Sequence, residues 1–137
     1  MLTRRGFASC ALCAITGFIA TEASAQAAPA PAGGVTRKIL SQVDGPAPGY
    51  ETILVEATIE AGAVIGRHTH PGVESAYVLE GGVELPIQGQ ATRILKPGDT
   101  VQIAANTPHG GGPALAAKSR LIITYVVEKG KPLASPA

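Results

Sequence analysis

The sequence predicts an all-β fold, a sandwich or barrel formed by one domain. Three observations predict it. Short apolar runs recur at close spacing, each bounded by Gly, Pro, Asn or Asp in turn-forming combinations. Several runs alternate apolar and polar residues with the two-residue period of a half-buried strand. No long helical periodicity competes with them, and 137 residues suit a single domain.

Taken in order, residues 35–42 read as a short first strand, and Asp44-Gly45-Pro46-Ala47-Pro48-Gly49 is turn chemistry throughout. Residues 51–59 alternate, with Ile53, Val55, Ala57 and Ile59 on one face and Thr52, Glu56 and Thr58 on the other; Leu54 breaks the pattern. Glu60-Ala61-Gly62 turns the chain into a segment holding His68, His70 and Glu74. Residues 75–79 form the next strand, closed by Glu80-Gly81-Gly82. Val83, Leu85 and Ile87 alternate with Glu84, Pro86 and Gln88, and Pro86 marks an edge strand or a bulge. Gly89-Gln90 turns into residues 91–95, and Lys96-Pro97-Gly98-Asp99 is a second turn, with Asp99 as its cap. A short strand over 100–103 follows. Asn106-Thr107-Pro108 then leads to His109, and Gly110-Gly111-Gly112-Pro113 is expected to be irregular. Residues 121–127, L-I-I-T-Y-V-V, are the most β-prone run. Residues 129–137 read as a polar, Pro-containing tail.

The chain begins differently. A basic pair, Arg4-Arg5, precedes an apolar run over 7–20, and Ala23-Ser24-Ala25 gives a small-x-small cleavage pattern. Residues 1–25 therefore read as a signal peptide. Thr3-Arg4-Arg5-Gly6-Phe7 resembles the twin-arginine export signal, which implies a periplasmic or secreted protein. The apolar run is shorter than the ~20 residues that cross a bilayer core, so no stable membrane anchor is expected after cleavage. Leu12 before Cys13 argues against lipid attachment there. Both cysteines, Cys10 and Cys13, lie in this segment, so the exported chain has no disulfide. Residues 26–35 are an Ala/Pro/Gly-rich flexible leader, followed by a barrel over 36–128.

Charge excludes some partners. Arg4, Arg5 and Glu22 lie in the first 25 residues, and without them basic and acidic residues balance. A neutral chain without a basic cluster argues against nucleic acid and against docking on an acidic membrane. The absence of Trp, with aromatics at only 4%, removes base-stacking platforms.

Chemistry concentrates in one segment. On a strand His68 and His70 share a face. Glu74 has the same parity, and a turn at Pro71-Gly72 would bring its carboxylate back beside the imidazoles. Two nitrogens and a carboxylate oxygen suit Mn, Fe, Ni, Co, Cu or Zn. Arg67 has the opposite parity and points away, as does Tyr77. Gln88, Gln102 and Tyr125 have either pocket or packing and surface roles open to them. Gly62, Gly66, Gly81 and Gly98 serve turns and close backbone approach.

The spacing Gly62, His68, His70, Glu74, Gly81 resembles the first conserved motif of the cupin superfamily. A second cupin motif begins at Gly98 and places His109 at its ligand position. Ala104, Asn106 and Pro113 depart from the family's Pro, Gly and Asn, although Asn tolerates the left-handed backbone a Gly would supply. The resemblance implies a small antiparallel jelly-roll barrel with a metal in its mouth, held by His68, His70, Glu74 and His109. All three histidines of the chain then fall at ligand positions. Mn or Fe is favoured, and six-coordination would leave two positions for water, dioxygen or a bidentate ligand. Glu74 is also a candidate to take up a proton. Oxygen-dependent oxidation of a small organic substrate is the leading chemistry. A non-catalytic periplasmic module holding a metal or small ligand is the alternative, and whether the chain is an enzyme stays open. Family habit and exposed strand edges suggest a homodimer.

Overall fold

A computed structural model describes residues 33–111 and 117–137. The expected signal peptide and most of the leader lie outside the described residues. Ten strands are present among those described: β1 (Val35–Asp44), β2 (Tyr50–Ile59), β3 (Ile65–Thr69), β4 (Gly72–Glu80), β5 (Val83–Leu85), β6 (Arg93–Leu95), β7 (Thr100–Ile103), β8 (His109–Gly111), β9 (Ser119–Glu128) and β10 (Ser135–Pro136). They form a five-stranded sheet in the order β1-β2-β9-β4-β7, a three-stranded sheet in the order β10-β3-β8, and the hairpin β5-β6. All pairings are antiparallel, and the two larger sheets enclose one apolar interior as a jelly roll.

The alternation read from the sequence builds the large sheet. Ile53, Val55, Ala57 and Ile59 of β2 are all buried, and β9 sets Tyr125, Ile123, Leu121 and Ser119 opposite them in that order. A slip of one residue would turn each of these side chains to solvent, so burial fixes the register. Leu54 belongs to the outer face, where it is half-buried opposite Ser41 of β1. Strand β1 runs to Asp44 and carries a bulge between Ile39 and Ser41, as edge strands often do. Pro86 ends β5, and Ile87 then makes a single bridge to His109.

Two glycine features depart from expectation or explain it. Gly110 and Gly111, expected to be irregular, lie in β8 against β3. A Cβ on Gly110 would sit 3.0 Å from the Ile65 carbonyl oxygen, and one on Gly111 would sit 2.9 Å from Ile65 Cδ1. These glycines let two strands approach closely; breaking a strand is not their role here. Asn106 adopts φ 56°, the left-handed conformation expected where the motif has Gly. Asp99 caps its turn, its Oδ2 accepting from the Lys96 backbone N–H at 2.8 Å.

Candidate metal centre

The site is assembled from both sheets. His68 lies on β3 and His70 just past its end. The chain then bends at Pro71, and Gly72 opens β4 in the other sheet. A Cβ at Gly72 would lie 2.0 Å from the Val126 carbonyl oxygen, so this corner needs glycine. Two residues later Glu74 faces inward between Tyr125 of β9 and Ile103 of β7. The period-two parity thus survives the passage between sheets. His109 opens β8 directly opposite His68. The loop before it is tied down by Asn106 N–H donating to the His70 carbonyl at 2.9 Å.

All four side chains predicted from the sequence come together. One donor atom from each of His68, His70, Glu74 and His109 lies within 4.8 Å of every other. Nε2 of His68 and Nε2 of His70 are 3.2 Å apart, and Glu74 Oε2 is 2.8 Å from His70 Nε2 and 3.2 Å from His109 Nε2. Neighbouring donors around an ion with ~2.1 Å bonds stand ~3.0 Å apart, which matches this cluster.

The tautomers point the same way. Nδ1 of His68 bonds the Gly66 carbonyl at 2.7 Å, Nδ1 of His109 bonds the Thr107 carbonyl at 2.9 Å, and Nδ1 of His70 bonds the Leu133 carbonyl. A carbonyl oxygen can only accept, so each Nδ1 carries the proton. In the neutral rings each Nε2 then presents a lone pair to the interior. Lone pairs of His68 and His70 at 3.2 Å repel unless a proton or a cation lies between them. Imidazole nitrogens oriented by backbone carbonyls, beside a carboxylate, fit a divalent transition metal.

Electrostatics support the ionised carboxylate. Burial alone would raise the Glu74 pKa, but with no ion bound the Nε2 atoms of His109 and His70, which donate to the carboxylate when those rings are protonated, outweigh it and hold the value at about 2. Burial pushes His68 down, with its bond to Gly66 opposing. Burial acts downward on His109 too, yet its bond to Glu74 raises it overall.

The surrounding residues sort cleanly. Tyr125 is 2% exposed and its ring centroid lies 4.8 Å from that of His70, so it belongs to the pocket. Gln88 is on the surface, accepting from Arg67 Nη2 at 2.7 Å, and Gln102 and Tyr77 are exposed. Two contributors had no role in the sequence reading. One is Leu133, whose carbonyl orients His70 from 63 positions away because β10 pairs with β3. The other is Arg37, which is half-buried on β1 and lines the two cavities that His68 also borders. Its parity with the buried Val35 is the signal that reveals it.

Residues 55–114 match the family described as Cupin domain (Cupin_2), a span containing all four clustered side chains. No curated protein matches the chain. Among solved structures it is similar to KdgF from Halomonas sp., at 29% identity and TM-score 0.58, covering 70% of this chain and 82% of that one. It is similar to a cupin-like protein from Thermotoga maritima, at 27% identity and TM-score 0.62, covering 77% of each chain. It also shares its fold with the DMSP lyase DddQ from Ruegeria pomeroyi, at 21% identity and TM-score 0.62; the match covers 75% of this chain and 51% of that one. The domain match and the shared fold support the cupin superfamily.

Proposed function

We propose that this chain is an exported, mononuclear metal-binding cupin that acts on a small organic ligand. The observation supporting this most strongly is the tautomer pattern: three Nδ1–H groups spent on backbone carbonyls and three Nε2 lone pairs aimed at one point beside Glu74. His68, His70, Glu74 and His109 would hold the ion. A divalent metal there would polarise an oxygen donor of the ligand and, if redox-active as Mn or Fe is, supply one-electron chemistry.

The chain's own residues do the remainder. The backbone carbonyls keep the imidazoles oriented, so little reorganisation accompanies binding. Glu74 stays ionised and offsets part of the ion's charge. Tyr125 is held protonated chiefly by its burial and next by the Glu74 charge, which leaves a hydroxyl donor at the cavity wall. Oxygen-dependent oxidation remains the proposed reaction. A second reading, metal-assisted elimination, is favoured by the lyase activity named for the Ruegeria neighbour. Periplasmic localisation through a twin-arginine signal and a homodimeric state are further parts of the proposal.

The test is elemental analysis of protein isolated from the periplasmic fraction, followed by anaerobic addition of candidate substrates and measurement of oxygen uptake. One transition metal per chain is expected, with uptake of oxygen on aeration. Turnover without uptake would rule out oxygen-dependent oxidation, and an unsaturated product would then mark elimination. A metal-free isolate that also refuses added Mn, Fe or Zn would defeat the proposal.

A further inference from the structure

Arg37 is an unusual residue for the place it occupies. Strand β1 pairs it with Ala57, so its side chain belongs to the inward set with Val35, which is 2% exposed. Its neighbours Thr36 and Lys38 face out. Inward positions of a small β-barrel are normally apolar, and a charge there is rare without a partner. Among the described residues no carboxylate forms a salt bridge with Arg37. Glu74 is already engaged by His70 and His109.

The guanidinium faces an open slot of about 380 Å³ that leads to His68 and His70. The slot lies between β1, the edge of the large sheet, and β10, the edge of the small one. Ile65, Leu133 and Pro136 make much of its wall apolar. Arg37 and Tyr125 line the same slot and the same inner cavity, so the cation and the phenol lie near one another and near the imidazoles.

With neutral imidazoles the buried cluster holds one negative charge, Glu74, while the slot carries the positive charges of Arg37 and of the exposed Arg67, whose Nη2 donates to Gln88. A divalent ion at the cluster would leave a net positive excess in a partly desolvated slot. Such an interior favours an anion that approaches through the slot. A guanidinium matches a carboxylate with two parallel hydrogen bonds.

From this placement we infer that the ligand is an organic anion, with an oxygen donor at one end for the metal and a carboxylate at the other for Arg37. This rests on the metal-binding reading above and adds the substrate class to it. Arg37 is then a specificity residue, distinct from the four ion-holding side chains.

Two probes separate the ideas. Malate and 2-hydroxybutyrate share a 2-hydroxy acid end, but only malate has a second carboxylate. Metal content is measured first, and each probe is then titrated into the Mn(II)-loaded full chain by calorimetry. The parent should prefer malate by roughly 10–100-fold, the range of a charge-assisted hydrogen-bonded contact. Arg37→Gln should lose that preference and bind 2-hydroxybutyrate unchanged, and Arg37→Lys should recover part of it. A parent that takes up metal but binds both probes equally, or neither, overturns the inference and leaves the metal centre intact. A uniform loss of both probes in Arg37→Gln would make Arg37 merely structural and also overturn it. A parent that takes up no metal defeats the metal reading, and this inference with it.

Discussion

In the five-stranded sheet, β2 and β9 pair over ten residues without a register shift. In the three-stranded sheet, β3 and β8 pair Ile65 with Gly111 and His68 with His109, with a shift between. The long wall buries aliphatic side chains and gives the site one donor, Glu74. The short wall gives three imidazoles. Its irregularity has a use. A regular ladder consumes backbone carbonyls, whereas here Gly66, at the register shift of β3, and Thr107 and Leu133, in the loops before β8 and β10, turn theirs to histidine rings. Stability and site geometry are thereby divided between two walls of one interior.

That division can be broken by experiment. The largest effect is expected in the long wall: Ile59→Ala, at a site 2% exposed, should cost about 2–5 kcal/mol in chemical unfolding. Metal bound per folded chain should stay unchanged. Next is His70→Ala, which should cut metal affinity by more than the ~10–100-fold typical of partners outside the ligand set. Circular dichroism of that variant should stay that of the parent. Deleting residues 133–137 removes both β10 and the carbonyl that orients His70. A ~10–100-fold loss of metal affinity is expected, measured by competition with a chelator. An unchanged affinity would mean that the short wall needs no such support.

Smaller effects sharpen the picture. In chelator-treated protein, Glu74 is lowered from 4.5 to about 2, so its stabilisation is full above about pH 4.5 and is lost as pH falls towards 2. His109 is raised from 6.5, so its contribution is present below 6.5 and is lost as pH rises through the folded value. Glu74→Gln should flatten both limbs of the stability–pH profile. The smallest effect is expected on the outer face of β4, where Tyr77 is 45% exposed. Tyr77→Ser should change stability by less than about 0.5 kcal/mol. A larger loss, with a changed sedimentation coefficient, would show that face to be covered by a second copy.

Much of this was legible in the chain. Parity placed His68 and His70 on one side, a turn at Pro71-Gly72 was needed to bring Glu74 beside them, and His109 was reached through the resemblance to the second cupin motif. The strand alternation of β2 named four of the thirteen buried hydrophobic residues of the long wall. What escaped has physical causes. Gly110 and Gly111 look like breakers until a neighbouring strand is close enough to forbid a Cβ. Leu133 acts through its carbonyl, which no side-chain pattern announces. Arg37 sits in an edge strand whose bulge and exposure blur its alternation.

X-ray absorption at the metal edge of the isolated, metal-loaded chain tests the central claim most directly. One ion per chain with about three imidazole scatterers and an oxygen shell is the expected spectrum, and it should lose one imidazole in His109→Ala. A bound ion lacking imidazole scattering, or a spectrum unmoved by that substitution, would contradict the account.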